Sequence, residues 1–278
     1  MQKPTVIDRA RRAISGITPL PFWLFIGWIG LAAALNIPPH APFFTVFVLL
    51  LAMMFIQPRK VDYDPVEITS PVQGTFMALN SPADKVPSHG TRHLGQTWGI
   101  DFLHRREDFG TVPWCNGFRP ATSFSSFGEP VYAVADGVVV SCDQQLNDHR
   151  SRSSYPALLF MMTLEALVRS ILPPRFTLGN HIVIDHGNGV YSLYAHLRKG
   201  SAWVKIGDSI SQGAVIAEIG NTGNSSEPHL HFQLMDRKYA ASAAGIPFQL
   251  SDIRDEEGNR IAIPETGKCF STAGAKEL

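Results

Sequence analysis

Apolar and polar positions divide the chain into two unequal parts. From Ala13 to Gln57 no Asp, Glu, Lys or Arg interrupts the run. As one helix at ~1.5 Å per residue, that stretch would reach roughly twice the ~30 Å hydrocarbon core of a bilayer. Asn36-Ile37-Pro38-Pro39-His40-Ala41-Pro42 breaks it, because adjacent prolines stop a helix. The pattern predicts an N-terminal transmembrane helical hairpin within residues 1–60, with short spans near 18–35 and 43–57. Trp23 and Trp28 suit an interfacial anchor. A cleaved signal peptide fits less well, since a second apolar stretch follows and no small-x-small site closes the first.

Residues 61–75, with Pro65 and Pro71, read as an extended linker. From about Phe76 the pattern changes to short apolar runs separated by turn signals such as Asp136-Gly137, Gly187-Asn188-Gly189 and Asn221-Thr222-Gly223-Asn224. That rhythm predicts a mainly β, antiparallel domain, a sandwich or barrel, over 76–250. A helical insertion at about 154–173 breaks it. Pro156 offers a favourable first-turn proline, Pro173-Pro174 a stop, and Glu165 and Arg169 stand four apart. Because this helix is apolar nearly all round, it should be covered, either by the β domain or by resting on the bilayer or lidding the site. Residues 251–278 read as a polar C-terminal tail with a turn over 254–260.

Charge changes the picture in two ways. Lys3, Arg9, Arg11 and Arg12 precede the first apolar stretch, and Arg59 and Lys60 follow the second. The positive-inside rule therefore puts both ends in the cytoplasm. Residues 61–278 retain 18 basic against 23 acidic residues, which argues against nucleic-acid binding. Three cysteines show no C-x-x-C spacing; Cys115 and Cys142 could pair outside the cytoplasm.

The candidate chemistry lies in the ten histidines. His229 and His231 flank Leu230 at the start of a predicted strand, where positions i and i+2 share a face and two imidazoles can work on one metal and its water. Alone, such a pair is more often structural. His196 ends the predicted strand from Tyr191, and parity places it on the face of Ser192 and Tyr194. Asp101 sits in the apolar run Trp98-Gly99-Ile100-Asp101-Phe102. A buried carboxylate needs a partner, which is a metal, backbone N–H groups, or Arg105 or Arg106. His40, His104, His149, His181 and His186 read as structural or solvated.

In combination these pieces resemble one family. Tyr194-Ala195-His196-Leu197, Gly220-Asn221-Thr222-Gly223-Asn224-Ser225 and Pro228-His229-Leu230-His231-Phe232 look like the lysostaphin-type (LytM-like) zinc metallopeptidases. Phe127-Gly128-Glu129-Pro130-Val131-Tyr132-Ala133 and Ala135-Asp136-Gly137-Val138-Val139 match the hairpin that precedes them. The likeness spans about residues 97–235. It implies an antiparallel β-sandwich of the duplicated hybrid motif type, and one Zn2+. It also implies a membrane-anchored endopeptidase that hydrolyses peptide bonds, in peptidoglycan, through a zinc-activated water. Asp101 and His231 match two metal ligands of the family. His196 and His229 match its two catalytic histidines.

The sequence departs from the family at the remaining ligand. The position four before Asp101 is Thr97, and a hydroxyl is a poor zinc ligand. His89, in a Ser-His-Gly setting, or His93 would have to substitute, with the balance slightly towards His89. If neither reaches, the domain is an inactive scaffold that binds a peptide or a partner. A phosphate-carrying domain of the sugar phosphotransferase system is similar in fold and uses facing histidines, but lacks the Pro-His-Leu-His-Phe stretch. A cell-wall substrate favours an extracytoplasmic catalytic domain on a multi-pass membrane protein, against the flanking charges.

Overall fold

The computed structural model describes residues 5–17, 19–37, 41–53, 55–105, 114–115 and 117–272. Val6–Gly16 (α1) starts on a capping box, in which Thr5 Oγ1 accepts from Asp8 N and Asp8 accepts from Thr5 N. Leu20–Ala34 (α2) and Ala41–Met53 (α3) fall inside the two predicted apolar stretches and pack through Phe25 on Phe47 and Trp28 on Phe43. The expected hairpin of spans takes a shorter form. At 15 and 13 residues α2 and α3 fall below the ~20 a spanning helix needs. Among the described residues no single helix is long and apolar enough to cross a membrane; α1 and α2 would suffice jointly but bend by 68°. Thr18, Pro38, Pro39 and His40 lie outside the described residues.

Both ends of this hairpin are tied to the β domain. Arg12 pairs with Asp236 at 2.7 Å, with both side chains buried, and Tyr63 donates to the same carboxylate at 2.9 Å. Ser15 Oγ donates to Ala241 O at the first end; at the second, Arg92 N–H donates to Gln57 Oε1 at 2.9 Å, while Arg11 Nε donates to Gln57 O and joins the two ends. Removing one partner of a buried pair strands the other charge, at about 3–5 kcal/mol, so α1 is a fixed part of the domain.

Among the described residues fourteen strands follow: Val66–Ile68 (β1), Thr75–Leu79 (β2), Ile100–Leu103 (β3), Pro130–Tyr132 (β4), Gly137–Asp143 (β5), Asn180–Asp185 (β6), Tyr191–Leu197 (β7), Ser209–Ile210 (β8), Val215–Glu218 (β9), Leu230–Met235 (β10), Gly245–Ile246 (β11), Phe248–Leu250 (β12), Ile253–Asp255 (β13) and Cys269–Thr272 (β14). Ten of them form an antiparallel sheet in the order β13-β14-β2-β3-β10-β7-β6-β5-β8, with β11 on β10. On one face of this sheet Ile100, Phe102, Ile182, Tyr194, Phe232 and Leu234 are fully buried against Val131, Ile216 and Ala217 of the separate β4–β9 ladder. The sandwich thus pairs one large sheet with a two-stranded ladder, and among the described residues no barrel closes. The opposite face carries Val183, Leu193, Ala195 and Met235 with Leu178 and Ala243.

Two expectations need correction. The linker 61–75 contains β1, which runs parallel with β12, and the start of β2. The polar tail supplies β13 and β14, which extend the sheet beside β2. Its composition hides an alternation in which Ile253, Phe270 and Thr272 turn inward. Cys115, Cys142 and Cys269 are all free. The predicted insertion helix is present as Tyr155–Phe160, Met161–Glu165 with π-type bonding, and Ala166–Ser170, capped by Ser154.

Candidate metal centre

Strand register sets the site. Asp101 on β3 and His231 on β10 are direct antiparallel partners, so their side chains leave the same face. His229 lies two residues before His231, with the same parity. Their neighbour β7 places Ala195, not His196, opposite His231. Strict alternation would send His196 into the core beside Tyr194. Instead, Ala195 and His196 together face His181 in a β-bulge, and His196 has φ +61°. This left-handed residue turns the imidazole to the face of His231 and His229, with ring centroids 5.9 and 4.8 Å away. The parity prediction for His196 is therefore wrong, and the bulge is the cause.

His89 arrives from outside the sheet. Thr97 O accepts Ser88 N–H at 3.1 Å, which draws the 88–90 turn onto the site. The residue at the expected ligand position thus acts through its backbone. His89 Nε2 lies 3.1 and 3.2 Å from the two Asp101 oxygens, and His231 Nδ1 lies 2.9 Å from Oδ1. Ligand atoms of His89, Asp101 and His231 all fall within 4.8 Å of one another. His93 is not in this group; it lines an adjacent cavity, where burial pushes its pKa down. Arg105, offered as a partner for Asp101, instead faces Glu256 at 3.9 Å. Arg106 lies outside the described residues.

The outer nitrogens of these rings decide what the inner ones can do. His196 Nδ1 donates to Thr222 O at 2.8 Å, and His229 Nδ1 donates to Glu227 O at 2.7 Å. His231 Nε2 donates to Gln233 Oε1, whose orientation is fixed because its amide nitrogen donates to Leu94 O. His89 Nδ1 lies 3.1 Å from Ser88 Oγ. Each ring is left with a lone-pair nitrogen towards Asp101 or the cavity. Four such nitrogens and a carboxylate repel one another unless a proton or a metal ion stands among them. A set of two imidazoles and one carboxylate fits zinc, and the outer nitrogen of each ligand-type ring meets a side-chain oxygen, Gln233 Oε1 for His231 and Ser88 Oγ for His89.

Electrostatics point the same way. Burial alone would raise the Asp101 pKa. The charges of His89 and His229 and hydrogen bonds from His231 and His89 outweigh it and hold the carboxyl well below the usual carboxylate range. Asn80 Nδ2, on a residue with φ +48°, adds a bond to Asp101 Oδ2 at 2.7 Å. For His231 burial opposes protonation, but the bond and charge of Asp101 prevail and raise its pKa. For His196, burial, then the charges of His229 and His231, push the pKa well below 6.5. His196 is therefore a neutral acceptor at pH 7. Asn80, Ser88, Thr222 and Gln233 were missed by sequence reasoning; a polar residue two positions after His231 on the same face was the available signal for Gln233.

The site lies in a cavity of about 210 Å³. A larger apolar cavity of about 440 Å³ adjoins it and shares Leu94, Gln96, Thr177 and Asn224. The titratable groups mark the smaller one as the site of the chemistry. Gly99 is packed under both ligand-type rings: a Cβ there would stand 3.0 Å from His231 Cε1 and 3.3 Å from His89 Cε1. Gly99→Ala should therefore weaken metal binding by about 10–100-fold, as second-shell changes do, with the fold intact. Competition titration against a zinc chelator measures this, and unchanged affinity would mean that the rings yield freely.

Residues 164–243 match peptidase family M23, a segment that includes His196, His229 and His231 but neither His89 nor Asp101. The peptidoglycan DD-endopeptidase ShyA of Vibrio cholerae is 41% identical over 86 residues, 30% of this chain and 20% of that protein. Lysostaphin of Staphylococcus staphylolyticus is 38% identical over 93 residues, 32% of this chain and 19% of that protein. The solved catalytic domain of lysostaphin from Staphylococcus simulans is 22% identical with a TM-score of 0.31, covering 54% of this chain and 77% of that one. The matched part spans about a fifth of the length of these curated relatives.

Proposed function

We propose, from the match of residues 164–243 to peptidase family M23 and the likeness to lysostaphin-type peptidoglycan endopeptidases, that this chain is a membrane-anchored zinc metalloendopeptidase cutting peptide bonds in peptidoglycan. The observation that carries this reading is the convergence of three imidazoles, His89, His229 and His231, on Asp101, with His196 beside them and the outer nitrogen of each of the four rings engaged elsewhere. His89, Asp101 and His231 would hold the metal. When bound, zinc supplies a Lewis acid and lowers the pKa of a water from 15.7 towards about 7. His196 and His229 manage the protons. One neutral Nε2 accepts from the attacking water; the other, once protonated, donates to the developing oxyanion or the leaving amine. Thr222 O and Glu227 O hold the Nδ1–H of the two rings, which orients each Nε2 towards the cavity.

In this reading α2 and α3 hold the domain to the membrane. Since Arg12 on Asp236 and Gln57 on Arg92 tie both ends of the hairpin to the domain, the anchor enters and leaves the bilayer on the domain's own side. A wall substrate places that side outside the cytoplasm.

The full chain, purified in detergent and supplied with zinc, should bind one equivalent and release peptide fragments from isolated sacculi. A chelator should abolish release and added zinc should restore it. Metal-free protein under those conditions would overturn the proposal. Bound zinc without hydrolysis of any sacculus tested would favour a binding scaffold instead.

A further inference from the structure

The insertion helix carries its polarity the wrong way round for a surface bathed in water. Its outer side presents Leu159, Met162, Leu164 and Leu167, each more than half exposed. Its two charged residues turn inward, with Glu165 and Arg169 side chains only 16% and 13% exposed. Glu165 accepts from Arg152 and from Arg169, and Arg169 also donates to Gly223 O and Asn224 Oδ1 at 3.0 and 2.9 Å. Thr163, also exposed, uses its hydroxyl internally by donating to Leu159 O at 2.6 Å. A helix on a water-facing surface has the reverse arrangement, with its apolar stripe inward and its charges out. Scattered exposed apolar residues need no explanation, but a whole helix side of them does. In hydrocarbon every polar group must find its partner within the protein, as Thr163, Glu165 and Arg169 do here.

The same surface continues into the hairpin. Trp23 of α2, half exposed, donates its indole N–H to Ile171 O at the end of the insertion, at 2.9 Å. Beyond it, uncharged α2 and α3 turn Leu24, Leu31, Val48 and Leu49 outward. We propose that the insertion is a second bilayer-contacting element, lying in lipid beside α2. It thereby seats the metal cavity at the membrane surface, so that the peptide cut is one held close to the bilayer. This inference rests on the reading of α2 and α3 as a membrane anchor. The apolar cavity between α2 and the insertion, which shares a wall with the metal cavity, fits that placement.

Site-directed spin labelling tests it on the full chain. With the three cysteines replaced by serine, labels are placed through Met162→Cys or Leu167→Cys. A label through Leu31→Cys reports on the anchor, and one through Ile206→Cys is the aqueous control. The chain is reconstituted in phosphatidylethanolamine–phosphatidylglycerol vesicles. The ratio of collisions with oxygen to collisions with a water-soluble nickel complex should rise at 162 and 167 as it does at 31, relative to 206. A lipid signal at 31 with an aqueous one at 162 and 167 overturns the inference and leaves the anchor standing. An aqueous signal at 31 as well defeats the anchor reading, and the inference with it. Protection at 162 that disappears on dilution below one chain per vesicle assigns the face to a second copy, which also overturns it.

Discussion

Asp101→Ala is expected to lose zinc and, with it, all peptide hydrolysis. Removing a second-shell partner typically costs about 10–100-fold in metal affinity. Asp101 is the group on which His89, His229, His231 and Asn80 all converge, so its loss should exceed about 100-fold. Asp101→Asn separates charge from shape: it keeps the volume and a carbonyl for Asn80, but loses the anion. Both variants should come out metal-poor by elemental analysis. Their fold, checked by circular dichroism, should persist, because Ile100 and Phe102 remain in the opposite core. A variant that retains stoichiometric zinc would contradict the ligand assignment.

His196→Ala should leave zinc in place and cut kcat by about 10²–10⁴-fold, the range for a lost general base or acid. His229→Ala should behave similarly. The double variant should fall little further, since residues acting on one proton path are not additive. The pH profile is the sharper readout. Because burial holds the His196 pKa below 6.5, this group is neutral and competent at pH 7. The acid limb that it causes lies below pH 6.5, and that limb should vanish in His196→Ala. Loss of zinc alongside activity would make His196 a ligand or a structural group rather than a proton carrier.

Period-two alternation was enough to anticipate that His229 and His231 would share a face, because they stand on or next to a regular strand; Asp101 joined them only through the family resemblance, since alternation within one strand does not give its register with another. The same rule failed for His196. A single left-handed residue in a bulge reverses facing, and nothing in composition announces it. His89 was legible only as one of two options, since the contact that brings it in is a backbone bond from Thr97 across an irregular loop. The partners that orient His196 and His229 were invisible for a similar reason: Thr222 and Glu227 act through carbonyls, which every residue has. In the fold, strong apolar runs revealed the hairpin helices and the central strands. Strand β13 at the sheet edge and β14 beside it are not evident from the sequence, because a short strand needs only two or three inward residues, and polar neighbours mask them.

The kink at His196 bears on any attempt to transplant this centre. A designer who copied the histidines and the carboxylate onto straight, evenly pleated ribbons would find one imidazole aimed through the sheet at the wrong side. The graft would have to bring along the extra residue of β7 and a scaffold stiff enough to bear the roughly 1–3 kcal/mol that such a backbone conformation costs.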